Sequence, residues 1–386
     1  MKLNAVTAGL LLACASSSPL AANNPAISVV LDGYYQDGDR ALGGREDGLG
    51  LGETELALSG AIDDQFYGKL TTVLATHDGD TEVELEEAFI QTLGLPAGFS
   101  IRGGRFLSDL GYLNNQHPHS DAFVERPAIY RAFLGGHYFD DGLRLNWVAP
   151  TELYWVLGAE GFAGDSLRAE GVEEPESVGV YHLYSKLGGD WGTDHSWQLG
   201  LSWLRNDNGQ GHIEAHAEEE HGEESHEEHA HSAALTGRDL YSLDAVYKWA
   251  PNGNYKNNFL TLSAEYMLLD KPFEASGGEE SLPGDYHGWY LSGVYQFTPN
   301  WSAGVRYGQL TAAVGHEEEL DGEHRLHFEE GKLKETELML AWHNSHFSTV
   351  RLQYTHQEDG LFGAADDQIL TLQFVMALGA HGAHQF

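Results

Sequence analysis

From residue 27 to residue 378 the chain alternates apolar and polar residues in segments about ten residues long, the length of a tilted strand crossing a membrane. In Gln368–Leu378, the apolar Leu370, Leu372, Phe374, Met376 and Leu378 share one face, and Thr371, Gln373, Val375 and Ala377 share the other. Tyr241–Trp249 sets Tyr241, Leu243, Ala245, Tyr247 and Trp249 against Ser242, Asp244 and Lys248. Trp289, Leu291, Tyr295 and Phe297 against Ser292 and Gln296, and Trp197, Leu199, Leu201 and Trp203 against Gln198 and Ser202, repeat the division. A membrane barrel needs this apolar-out, polar-in arrangement. A soluble β-sandwich with one buried face would alternate equally well.

The rhythm of connections favours the barrel, because outer-membrane barrels join their strands by short periplasmic turns and long outer loops in alternation. Short connections fall at Asp63–Asp64, Gly94–Gly98, Pro150–Thr151, Gly189–His195, Pro251–Asn257, Pro299–Asn300 and His343–Ser345. Long ones fall at Asp37–Gly50, His77–Thr81, Leu107–Asp141, Gly164–Ser177, Asn206–Gly237, Asp270–Asp285, Gly315–Lys334 and Gln357–Asp367. Seven turns and eight loops join sixteen strands and predict an all-β, antiparallel transmembrane barrel with both termini in the periplasm. The third loop, 107–141, is long and apolar, and is expected to fold partly into the barrel and narrow it, an extra strand or short helix outside being the alternative.

The ends of the chain agree. Residues 1–22 carry one Lys, an apolar run and a small-residue region, the build of a secretory signal peptide, leaving 23–386 as the barrel. In the alternative reading, the LLAC run at Leu11–Cys14 is a lipoprotein cleavage box and Cys14 is lipidated. Cys14 is the only cysteine, so no disulfide or thiolate site is expected in the mature chain, and metal would bind through His and carboxylates. No other stretch reaches the roughly 18 consecutive apolar residues of a membrane helix. The net charge of −38 argues against nucleic acid as a partner. The final Phe386 keeps the parity of the last strand and looks like the C-terminal signal that such barrels present to their assembly machinery.

Leu85–Thr92, the run Leu95–Asn114 and Asp121–Pro127 together resemble the phosphate-selective porin family, and Gly142–Asp165 continues the likeness. The resemblance implies a sixteen-stranded, homotrimeric outer-membrane channel whose anion selectivity rests on lumenal Lys and Arg. Parity places Lys69, Arg144, Lys186, Lys248, Arg306 and Arg351 in the lumen with Asp244 and Glu265. The lysine cluster expected on the constriction loop is missing, since that loop offers Arg126 and Arg131 but no Lys. The chain also looks similar to histidine-loop barrels associated with zinc limitation.

The candidate chemistry lies in the loops. His212, His216, His221, His226, His229 and His231 occur within twenty residues, interleaved with eight Glu. Neutral imidazole and carboxylate suit Zn²⁺ and similar divalent ions, so the segment reads as several exchanging metal sites that order only with metal. It has neither zinc-finger spacing nor a helical HExxH. His316, His324 and His327 form a second cluster. His117 and His119, near Asp121, either bind metal at the pore mouth or form a polar turn about Pro118. His381 and His384 read as structural. No nucleophile elbow or phosphate-binding glycine loop is found, so no enzymatic activity and no obligatory cofactor are expected. The function read from the sequence is a porin-like channel whose outer loops collect divalent metal, zinc foremost. A general or anion-selective porin and a non-transporting metal-buffering barrel are the alternatives.

Overall fold

The computed structural model describes residues 25–77, 80–169, 172, 175–212, 233–270, 272–274, 284–320 and 323–379. Within them the period-two segments are strands: β1 Ala26–Asp37, β2 Gly48–Leu51 and Thr54–Ala61, β3 Phe66–His77, β4 Asp80–Thr92, β5 Phe99–Leu107, β6 Phe139–Val148, β7 Tyr154–Phe162 and β8 Val180–Trp191. The second half supplies β9 His195–Asn206, β10 Asp239–Trp249, β11 Phe259–Asp270, β12 Tyr286–Thr298, β13 Trp301–Leu320, β14 Glu323–Ser345, β15 Ser348–Asp359 and β16 Gln368–Gly379. The two parts of β2 continue one another across a bulge at Gly52–Glu53.

Each strand pairs antiparallel with its sequence neighbours, and β1 closes the circle on β16, from Ser28 opposite Gly379 to Asp37 opposite Leu370. Closure matters because a lipid-facing sheet edge would leave backbone groups without partners. The burial pattern follows the alternation: Leu201 is 60% exposed on the outer face, whereas Ser202 beside it is 7% exposed on the inner face. Phe99 on Trp147, Trp191 on Trp197 and Trp301 on Trp342 form aromatic contacts at the short-turn end, the girdle of a membrane interface. No described helix is long and apolar enough to cross a membrane. The molecule is a closed, sixteen-stranded antiparallel barrel.

Short connections at one end, residues 62–65, 93–98, 149–153, 192–194, 250–258, 299–300 and 346–347, alternate with the opposite-end connections that begin at 38, 78, 108, 163, 207, 271, 321 and 360. The seventh outer connection corrects the sequence reading. Gly315–Lys334 is no open loop: β13 and β14 stay paired to Leu320 opposite Glu323, so a two-stranded arm rises beyond its neighbours. Its charged composition reads as loop, but two strands paired to each other satisfy one another's backbone and can leave the barrel without a packed face. Opposite the short turns, Gly211–His212 pairs in parallel with Phe273–Glu274.

Residues 108–138 turn into the barrel and carry its one described α-helix, α1 Ala128–Leu134, every residue of which is buried. Gly135, at φ +59°, caps the helix in the left-handed conformation that glycine adopts without strain. Apolar residues of this segment, Leu110, Ile129, Phe133 and Leu134 among them, pack with Phe106, Met267 and Leu310 of the wall into the largest apolar cluster of the molecule. The barrel thus has a core, which a simple water-filled cylinder lacks.

Candidate functional site

The inward segment is anchored around most of the circumference. Near its start, Ser108 Oγ donates to Glu160 on β7 at 2.6 Å, and the Asp109 carboxylate accepts from Lys186 on β8 at 2.5 Å. Arg144 pairs with Glu160, and His182 Nδ1 lies 2.6 Å from the same carboxylate. At the helix, Tyr130 Oη is 2.9 Å from both carboxylate oxygens of Glu265 on β11, which also accepts from Ser242 at 3.1 Å and from Tyr290 at 3.2 Å. Arg131 donates to Glu335 on β14 at 2.6 Å, and the backbone N–H of Val124 donates to Gln353 on β15 at 2.8 Å.

The first outer connection also bends inward. Arg40 donates to Glu335 and Glu337, both at 2.8 Å, and Arg306 of β13 pairs with Glu337. Arg45 donates to Asp32 at 2.6 Å. Two loops from one end therefore meet wall carboxylates deep in the bore. Asp109 shows the electrostatic result: burial pushes its carboxyl up, but the Lys186 and Arg144 cations win and hold it well below the usual carboxylate range.

Around His117 the same segment meets an acidic stretch of β2 and β4. His117 Nε2 lies 2.9 Å from Glu87, and its Nδ1 lies 3.1 Å from Glu86 and 3.4 Å from Glu55. His119 Nδ1 is 2.5 Å from Glu55, and His137 Nε2 is 2.8 Å from Glu86. Lys69 of β3 contacts both Glu87 and His117. Burial disfavours charge on His117, yet the surrounding Glu55, Glu86 and Glu87 carboxylates raise its pKa well above the ordinary histidine value.

The side chains assigned to the lumen by parity, Lys69, Arg144, Lys186, Asp244, Lys248, Glu265, Arg306 and Arg351, are buried or half-buried on the inner side of the wall. Arg351 donates to Gln373 at 2.7 Å and to the His119 carbonyl at 3.3 Å. His117 and His119 sit against β2 and β4, inside the wall, and a 3₁₀ turn at Pro118–Ser120 holds them 5.8 Å apart, ring centre to ring centre. The side chain of His212 and those of His316, His324 and His327, like all of His216, His221, His226, His229, His231, Cys14, His381, His384 and Phe386, lie outside the described residues. The backbone of the arm sets His316 opposite His327.

Several wall residues escaped the sequence reading. Glu55, Glu160, His182, Glu335 and Glu337 are inward on strands, and a fuller application of parity would have found them. Glu86 could not be found so, because a bulge puts it and Glu87 on the inner side in succession, both buried. His137 comes from the end of the inward segment, where no period applies.

Toward the short turns the segment leaves a polar chamber of about 990 Å³, lined by Arg102, Asp109, Tyr112, Asn115, Arg144, Asn146, Lys186 and Gln198 among others. Arg102 donates to Gln91 at 2.7 Å and covers the Phe89 ring at 4.0 Å.

No family model matches the sequence. The chain is 28% identical over 362 residues to an uncharacterised protein of Aquifex aeolicus, covering 88% of this chain and 70% of that protein. Among solved structures it is similar to the outer membrane channel DcaP of Acinetobacter baumannii (TM-score 0.55, 13% identity, 94% of this chain and 99% of that one). OprB of Pseudomonas putida (0.54, 12%, 92% and 94%) and an anion-selective porin from Comamonas acidovorans (0.53, 11%, 93% and 100%) are also similar. At these identities the likeness is one of architecture, and the architecture is that of a porin-like barrel of the outer membrane.

Proposed function

We propose that this protein is a passive, porin-like channel for small hydrophilic solutes, whose His- and Glu-rich outer loops gather divalent metal cations, zinc foremost, at its mouth. The observation that carries the reading is the inward segment 108–138. It is tethered by charged and hydroxyl groups across the bore, above a polar chamber of about 990 Å³ that opens toward the short turns. A barrel serving only as an anchor needs no polar chamber, whereas a diffusion channel needs a constriction and a wet path beyond it.

A second reading, an anion- or phosphate-selective porin, is favoured by Arg102, Arg144 and Lys186 on the chamber wall. Against it, Arg144 and Lys186 are tied to Glu160 and Asp109, and Arg40, Arg131 and Arg306 to Glu335 and Glu337. A cation already paired offers a passing anion little field. Association into a trimer, the form named for OmpT of Vibrio cholerae, belongs to this proposal too.

Planar-bilayer recording across a salt gradient tests it. Stepwise conductance with a reversal potential of cation sign supports the first reading. A reversal potential of anion sign transfers the protein to the second, and absence of any conductance leaves a non-transporting barrel.

A further inference from the structure

Two interruptions of strand alternation converge on one place inside the barrel. Val30 of β1 faces Glu55 and Gly33 faces Leu51, so β2 accommodates one extra residue at Gly52–Glu53. On β4, Thr71 faces Glu87 and Thr72 faces Leu85, which makes Glu86 the extra residue. A bulge disrupts the local ladder and re-aims side chains, and bulges are concentrated beside functional sites. Here the two bulges bring Glu53 and Glu86 together, although β2 and β4 are separated by β3.

The third member is His137, which arrives from the end of the inward segment. One ligand-type atom from each of Glu53, Glu86 and His137 lies within 4.8 Å of the other two. Bonds of about 2.0–2.2 Å to a central ion place neighbouring ligand atoms about 3 to 3.5 Å apart, so small side-chain movements complete a first shell. Glu86 carries a second, independent sign. Its side chain is fully buried: Oε1 meets His137 Nε2 at 2.8 Å, while Oε2 faces the His117 ring at 3.1 Å without a hydrogen bond to it, so only charge attraction offsets its burial. A buried carboxylate oxygen left without a donor is costly unless something else neutralises it.

We propose that Glu53, Glu86 and His137 bind one divalent transition-metal cation of the zinc class inside the barrel, where the inward segment meets the bulges of β2 and β4. Two carboxylate oxygens and an imidazole nitrogen are borderline-hard donors suited to Zn²⁺, Co²⁺ or Mn²⁺, with a fourth position left for water. The bound ion ties the segment to the wall at a point where the two are otherwise joined through hydrogen bonds. This site is separate from the outer histidine loops and stands whether or not the barrel conducts.

The test uses the full chain without residues 213–232 and carrying C14S, H316N, H324N and H327N, which removes the competing histidines of both outer clusters and the native thiol. Equilibrium dialysis against Zn²⁺ is expected to give one tight equivalent that E86Q and H137A lose. An additional supporting readout comes from H137C, whose shorter thiol is accommodated without clash and reaches the ion if the end of the segment settles toward the wall. With Co²⁺ it should show a thiolate-to-cobalt charge-transfer band, which E86Q introduced into H137C abolishes. Unchanged Zn²⁺ stoichiometry in folded E86Q and H137A overturns the proposal. Conductance measured on the same proteins separates the two ideas: a conducting barrel without the metal equivalent sinks only the metal site, and a metal-binding barrel without conductance sinks only the channel.

Discussion

At the scale of single residues, the interior is ordered by charge pairs rather than by apolar contact alone. Glu160 is the clearest case, accepting from Ser108 and facing both Arg144 and His182 with no exposed side-chain surface. Removing its charge takes from the buried Arg144 its directly paired carboxylate, a loss of about 3–5 kcal/mol for such pairs. E160Q is accordingly expected to lower the urea midpoint of the folded barrel strongly, whereas E358Q, which breaks an exposed pair with Lys334, should shift it little. Asp109 yields a pH prediction. Its pKa is held below that of an unfolded chain, so the Asp109–Lys186 tether contributes fully above the unfolded value of about 4. The contribution fades only as pH falls through the lower folded value. Channel conductance should therefore show no change traceable to this tether between pH 8 and pH 5, and D109N should raise conductance throughout that range by freeing the start of the segment. A D109N channel indistinguishable from wild type would deny the tether its role.

At the scale of elements, what was legible in the sequence was whatever repeats every second residue. Parity in Gln368–Leu378 and Tyr241–Trp249 reveals the two faces, and the spacing of breaks gives the strand number, because lipid outside and polar groups inside impose one rule on every strand. Local departures follow other physics. The bulge at Glu86 obeys no period, and the arm through His316 and His327 is strand despite its charged composition. The inward segment was foreseeable from its length and apolar content, but not its anchoring through Tyr130 and Arg131. Gly111 tests that anchoring. Its φ of +62° disfavours any side chain, and an added Cβ would collide with a Glu265 oxygen and come within 2.5 Å of the Tyr130 hydroxyl. G111A should thus displace the segment from β11, at a cost of at least about 1–2 kcal/mol from backbone strain alone. The expected result is a larger single-channel conductance with the barrel still folded, seen as an unchanged heat-dependent gel shift. An unaltered conductance would mean that the contact with Glu265 does not hold the constriction.

At the scale of the whole molecule, the decisive property is the uneven distribution of a net charge of −38. Inside, many acids are met by bases: Glu335 and Glu337 by Arg40, Arg131 and Arg306, and Asp32 by Arg45. The largest unmatched acidity is in the sequence of the outer connections, above all the eight Glu between Glu214 and Glu228. A paired interior gives a weak intrinsic ion preference, so the field at the mouth should set selectivity, and that field is open to screening. The Debye length falls from about 30 Å at 0.01 M salt to about 3 Å at 1 M. Cation preference, read as the permeability ratio from reversal potentials, should therefore be pronounced in dilute salt and approach unity near 1 M. Deletion of residues 213–232 should produce much of the same loss already in dilute salt, with conductance in 1 M salt unchanged. A preference that survives both high salt and the deletion would place the selective charges within the bore, on the Glu53, Glu55, Glu86 and Glu87 cluster, and would reverse this division of labour between mouth and wall.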